Sequence, residues 1–337
     1  MSKRILIDEL EFDVPYGKLR AKTWHEDIEG CQLVLALHGW MDNAGTFDNL
    51  IPRLTNGSRG LYVVAVDMPG HGRSTPLPDG TNYTDMKLLV EVRRFVKLIG
   101  WNDKRFTIIG HSMGGLLAQW YASLYPDNVD GIVLLDMLKP PFFLEHDFVQ
   151  LKSSLIEDDL ETDLTSDNKM MTTTSNVTIS TEAALTAIIE AHSAWGRLDR
   201  SHAMRLLARS SISVNSPPHS VIYYRDSRLR AMAYIVKNPD TARVIFSQMK
   251  SPILALLGKH GVYSLHRSDS SISNDRSGFC TPDEQAYQLG FESYIQQIRS
   301  QCVSLDIKWI EKGDHFMHLT RPEDLSDSIN EFFTKKD

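Results

Sequence analysis

The chain has 337 residues, 42% of them hydrophobic and 23% charged, with a formal net charge of −7. That length can bury a large core as one large or two ordinary domains, and the composition is that of an ordinary globular protein. The acidic balance, with no basic stripe to neutralise phosphates, excludes nucleic acid as a partner. Cys31, Cys280 and Cys302 lie far apart without metal-type spacing, which fits a reducing compartment. Met1-Ser-Lys-Arg leads into a polar strand rather than a signal peptide, and no apolar run reaches membrane length. The C-terminal Lys-Lys-Asp is no peroxisomal address. The expectation is therefore a cytoplasmic protein with no transmembrane segment. A peroxisome or a vesicle surface stays open as an alternative, with no signal for either in the sequence, and the oligomeric state stays open too.

Two alternating segments open the chain, at 5–14 and 19–25, joined through Pro15-Tyr16-Gly17, and they predict an antiparallel hairpin. Strand–helix alternation follows: a buried strand at 32–37, a helix near 47–54, a strand at 61–66 and an amphipathic helix over 83–99. Next come a strand at 106–109, a helix at 113–124 and a strand at 131–135. Such alternation predicts a parallel sheet with helices on both faces. From about 139 to 250 the rhythm breaks, beginning at Pro140-Pro141. A polar stretch at 157–180 precedes helical signals at 182–194, 199–209 and 228–237, with no buried strand evident. This reads as an inserted, mostly helical cap over 138–250, dividing a core made of 1–137 and 251–337. The core resumes with a strand at 252–257, a helix within 283–299, a strand at 304–310 and a last helix at 322–333, with a serine-rich surface loop at 264–277.

Between the strand at 106–109 and the helix at 113–124 sits Gly110-His111-Ser112-Met113-Gly114, a G-x-S-x-G at a strand-to-helix turn. The turn is so sharp that its central side chain is thrust outward, and glycines on either side remove colliding Cβ atoms. The helix aims its first amides at the serine, where they can stabilise negative charge. A serine hydroxyl needs a base to take its proton, and imidazole is tuned for that near neutral pH; a carboxylate must then hold the imidazole's tautomer. In a parallel sheet such residues collect beyond the C-terminal strand ends. Those ends carry His38-Gly39-Trp40-Met41, Asp67 through Ser74, Ser112, Asp136 and Gly313-Asp314-His315-Phe316-Met317-His318. Ser112, Asp136 and His315 stand in nucleophile, acid, base order, with the amides of Trp40 and Met113 as candidate oxyanion donors.

Alternatives remain at each position. His318, three residues on, is the rival base. Asp136 competes with a role as a turn cap into the insertion, and Asp269, Asp275 and Asp314 are the other acids near the late strands. His38 and His71 read as hydrogen-bonded structural histidines, His111 as pocket wall, Asp67 as a loop anchor and Tyr223-Tyr224 as packing residues. No His, Cys or carboxylate set has metal-ligand spacing, and no phosphate loop is present, so no metal and no cofactor are expected.

His38-Gly39-Trp40, Asp67-Met68-Pro69-Gly70-His71-Gly72-Arg73-Ser74, Gly110 through Gly115 and Gly313-Asp314-His315 together resemble the signatures of the α/β-hydrolase superfamily. Within it, the chain is similar to the serine hydrolase-like proteins of animals. That likeness lies in Leu134-Leu135-Asp136, Tyr224 through Leu229, His260-Gly261 and His315 through Leu319. The resemblance implies an eight-stranded, mostly parallel sheet with a cap, and hydrolase chemistry. Relatives that open epoxides or remove halides carry Asp where this chain has Ser112. Many members place the acid after the seventh strand in a Gly-x-x-Asp setting, where this chain has Gly258-Lys259-His260-Gly261. The expectation is a serine hydrolase acting on a small to medium, partly apolar acyl substrate. The competing expectation is a ligand-binding or signalling protein on the same fold with little turnover.

Overall fold

A computed structural model describes residues 5–26, 29–55, 59–138, 178–193, 195–214, 219–224, 226, 228–229, 249–262 and 302–335, with isolated positions at 153, 156–157, 244, 247–248, 292–293, 295–296 and 298–300. Strands β1 (Ile5–Val14) and β2 (Gly17–Glu26) form the expected hairpin, in register from Ile5 opposite Glu26 to Val14 opposite Gly17. Strands β3 (Gln32–Leu37), β4 (Leu61–Val66), β5 (Phe106–His111), β6 (Val129–Leu135), β10 (Ile253–His260) and β11 (Leu305–Asp314) complete one eight-stranded sheet in the order β1-β2-β4-β3-β5-β6-β10-β11. From β4 to β11 every neighbouring pair is parallel, while β2 runs antiparallel to β4.

The central strands are apolar throughout because both faces are covered. Leu35, Leu37, Val64, Val66, Ile132, Leu134, Ala255 and Leu257 face helices α1 (Asp85–Leu98) and α2 (Met113–Leu124). Their alternates Val34, Ala36, Val63, Ala65, Val133, Leu135, Leu254 and Leu256 face α6 (Glu323–Thr334) and the turn around Phe47. Each of these Val, Leu and Ile side chains contributes about 1.5–3 kcal/mol by leaving water. Helix α1 starts where expected because Thr84 accepts a hydrogen bond from the Lys87 amide.

Two expectations are corrected. In place of a helix near 47–54 the chain makes two short 3-10 turns, Ala44–Phe47 and Ile51–Arg53. Asn43 caps the first by accepting from the Gly45 amide, and Pro52, whose nitrogen has no hydrogen to donate, stands in the second. The region expected to lack strands holds a three-stranded antiparallel sheet in the order β7-β9-β8, from β7 (Thr178–Ser180), β8 (Ser211–Val214) and β9 (Ser220–Tyr223). At three or four residues each, and with serines between the β-branched positions, these strands are too short for period-two patterning to register. Helices α3 (Thr181–His192) and α4 (Arg200–Ser210) flank them, capped by Ser180 and Asp199. The helices expected at 228–237 and within 283–299, and the serine-rich loop, fall largely or wholly outside the described residues. Among the described residues, no helix is long and apolar enough to cross a membrane.

Helix α2 lies hard against β3. A Cβ at Gly114 would overlap the Leu37 carbonyl, a backbone group that cannot rotate away. Gly114→Ala is therefore expected to cost about 3 kcal/mol, the upper end for overpacking, read as a lowered chemical-denaturation midpoint. An unshifted midpoint would show that this contact is not close.

Candidate active site

The site is built at the C-terminal ends of the parallel strands. Ser112 follows the last residue of β5 and precedes the first of α2, with φ 49° and ψ −117°. This backbone is held rather than relaxed: the Ser112 amide donates to the Leu135 carbonyl at 3.2 Å, and the Ser112 carbonyl accepts from Gly115 and Leu116. Met113 opens the helix, so its amide has no partner within the helix. Gly39 from the loop after β3 presses against the same spot, since a Cβ there would stand 3.3 Å from the Ser112 Cβ. Trp40, the next residue, is anchored by its indole N–H, which donates to the Leu229 carbonyl at 2.7 Å.

Asp136 is the first residue beyond β6 and is buried, again with a positive φ, of 50°. Its Oδ2 lies 2.7 Å from His315 Nδ1. The Gly258 amide donates to Oδ1 and the Val262 amide to Oδ2, each at 2.9 Å. The end of β10 thus contributes backbone donors in place of a carboxylate, and it approaches closely because Gly261 has no side chain; a Cβ there would overlap the Asp136 carboxylate. The glycine pair in Gly258-Lys259-His260-Gly261 was the available sequence signal for this cradle. Asp314 turns elsewhere, with Oδ1 accepting from the Phe316 amide and Oδ2 from that of Arg197. Asp269 and Asp275 lie outside the described residues.

The other histidines separate by environment. His38 accepts from the Met68 amide through Nε2 and contacts the Gly39 carbonyl through Nδ1, so it reads as a neutral structural ring. Burial holds its pKa below the ordinary value. His71 links the Met41 amide to the Pro69 carbonyl. His318 is fully buried, its Nε2 2.7 Å from Thr46 Oγ1, and burial together with the neighbouring His111 pushes its pKa well below the ordinary value. His111 donates from Nε2 to the His315 carbonyl at 2.8 Å and stacks between the His315 and His318 rings. Asp67 anchors its loop by accepting from the Ala44 and Arg73 amides, and also receives Arg209 of α4, whose guanidinium reaches Glu9 as well. Tyr223 packs in the cluster formed by α3, α4 and Phe316.

From the inserted segment, Trp195 stands over His315 with ring centres 5.9 Å apart, and His192 packs edge-on against Phe316 at 5.1 Å. Sequence spacing also gave no hint that Asp42, His111 and His318 converge. One ligand-type atom of each lies within 4.8 Å of the others. Burial disfavours the charged form of Asp42, yet the imidazoles of His111, His192 and His318 hold its carboxyl well below the usual carboxylate range.

Comparison with known proteins agrees with this architecture. Residues 32–234 match the family model described as alpha/beta hydrolase fold. A serine hydrolase-like protein of Danio rerio is 32% identical over 328 residues, covering 96% of this chain and 87% of the relative. Serine hydrolase-like protein 2 of Homo sapiens is 27% identical, covering 97% and 94%. Among solved structures, a hypothetical protein from Pseudomonas aeruginosa aligns with a TM-score of 0.65 at 21% identity, covering 97% of this chain and 98% of that one. The thioesterase domain from the curacin biosynthetic pathway aligns with a TM-score of 0.65 at 17% identity, covering 96% and 99%. The elbow at Ser112, the sheet order and these matches together mean that the chain belongs to the α/β-hydrolase family, among its serine hydrolase-like proteins.

Proposed function

We propose that this protein is a serine hydrolase that cleaves a carboxylic ester, thioester or related acyl bond through an acyl-enzyme on Ser112. The observation that carries this reading is the buried 2.7 Å contact between His315 Nδ1 and an Asp136 carboxylate fixed by two backbone amides. A carboxylate so held keeps the proton on Nδ1 and leaves Nε2 bare to accept the Ser112 proton. Ser112 Oγ attacks the acyl carbon, and His315 takes the hydroxyl proton and passes it to the leaving alcohol or thiol. The amides of Trp40 and Met113 stabilise the oxyanion. Water, deprotonated by the same imidazole, attacks the acyl carbon, and the imidazolium returns that proton to Ser112 Oγ as the acid leaves. Trp195 and Phe316 beside His315 support an acyl group that is partly apolar. The inserted segment over 138–250 serves as the cap.

The test is covalent labelling with a fluorophosphonate probe together with turnover of short p-nitrophenyl esters and thioesters. Labelling and turnover are expected together. Labelling without turnover on any acyl substrate would favour a ligand-binding role on the same fold, and failure to label would remove the nucleophile assignment. The choice of base has its own test. His315→Ala is expected to lose on the order of 10³-fold or more in kcat. His318→Ala, which empties a buried site, is expected to act first on stability, with a much smaller fall in kcat. The reverse ranking would make His318 the base.

A further inference from the structure

We infer that Asp42, His111 and His318 form a binding site for a zinc-class divalent cation, behind the Ser112 turn and independent of the hydrolase reading. The three residues come from separate parts of the chain: the loop after β3, the end of β5, and the short helix α5 (Met317–Thr320). All are buried, at 3%, 1% and 0% exposure. Among the described residues, both Asp42 carboxylate oxygens, His111 Nδ1 and His318 Nδ1 lack a hydrogen-bond partner. Buried polar atoms are almost always satisfied, so three residues that each bring a ligand-type atom within 4.8 Å of the others, with their facing atoms unpartnered, point to an occupant.

The occupant's chemistry follows from the donors. Two imidazole nitrogens and one carboxylate oxygen suit zinc and its neighbours cobalt and nickel, whereas calcium and magnesium prefer all-oxygen shells. The outer nitrogens are already engaged, as metal-bound histidines require. His111 Nε2 donates to the His315 carbonyl, and His318 Nε2 meets Thr46 Oγ1. His111 Nδ1 stands 3.7 Å from Asp42 Oδ2, too long for a hydrogen bond. It is close to the separation of about 3.4 Å between ligands around a tetrahedral zinc ion. The widest pair, within 4.8 Å, must draw in by about an ångström. Asp42 also lines a small pocket with Met41, Ser210 and Tyr224 beneath the inserted helices. Three protein ligands leave a fourth position for solvent.

The experiment uses untagged full-length protein, stripped with a chelator and reloaded with Zn²⁺ or Co²⁺, with bound metal counted after gel filtration. One equivalent of Zn²⁺ is expected, and the Co²⁺ form should show the intense visible bands of a four-coordinate ion. Asp42→Asn and His318→Gln should each abolish stoichiometric binding. Thr46→Val, which removes only the outer partner of His318, should weaken it about 10–100-fold. If a ligand variant fails to fold, the wild-type Co²⁺ form decides by proton NMR: it should show hyperfine-shifted N–H signals from two Nδ1-bound imidazoles. Less than a tenth of an equivalent in wild type would overturn the site. So would wild-type binding in folded ligand variants, or Co²⁺ spectra without the two imidazole signals.

Discussion

Ser112→Ala is expected to abolish both fluorophosphonate labelling and ester turnover while leaving the thermal midpoint close to that of the wild type. In the proposed mechanism the hydroxyl alone performs the attack, so no neighbouring group can replace it. Removing a triad member leaves only the catalysis supplied by oxyanion donors and binding, a loss on the order of 10⁴-fold or more. The structure shows why the fold should tolerate the change. Ser112 is only partly buried, and the bonds that fix its turn are made by backbone, to Leu135, Gly115 and Leu116. Alanine occupies the same positive φ at little added strain relative to serine. Active-site labelling that persists in this variant would place the nucleophile elsewhere.

Asp136→Asn is expected to lower kcat on the order of 10⁴-fold. The same change is also expected to cost stability. The Asp136 oxygens accept from three donors: the Gly258 amide, the Val262 amide and His315 Nδ1. An asparagine has one acceptor oxygen, so its NH₂ must face at least one N–H. A buried donor left unsatisfied costs roughly 1–3 kcal/mol, so the thermal midpoint should fall as well. If the oxygen keeps the Gly258 bond, the NH₂ faces His315 and moves the ring proton to Nε2, the tautomer that cannot accept from serine. Comparing kcat in Asp136→Asn and Asp314→Asn checks the assignment. Full activity in the first with loss in the second would transfer the role to Asp314.

Asp67 and Arg209 show how the inserted segment is tied to the core. Arg209 leaves α4 to meet Asp67 at 2.9 Å and Glu9 at 2.6 Å, joining the insertion to the loop after β4 and to the opening hairpin. A buried charge pair such as Asp67–Arg209 positions elements more than it stabilises them. Neither partner of Arg209 was identifiable from its own surroundings in the chain.

What the amino-acid sequence by itself determined was the local part of this protein. The strands of the core are runs of Val, Ile and Leu because both sheet faces are covered, so they stand out without knowledge of their partners. The Ser112 turn is legible because its strand, glycines and helix are contiguous. The opening hairpin is legible because its two alternating strands flank a Pro-Tyr turn. Tertiary structure alone decided which groups meet across long separations. It brought Asp136 to His315, 179 residues away, and supplied Gly258 and Val262 as the donors that hold the carboxylate. It turned Asp314 toward Phe316 and Arg197, and gave His38 and His71 backbone partners. It also gathered Asp42, His111 and His318 behind the turn. The physical reason is range: hydrophobic periodicity and turn chemistry act within a few residues of chain, whereas side-chain pairing depends on strand order and on loop closures that no local pattern encodes.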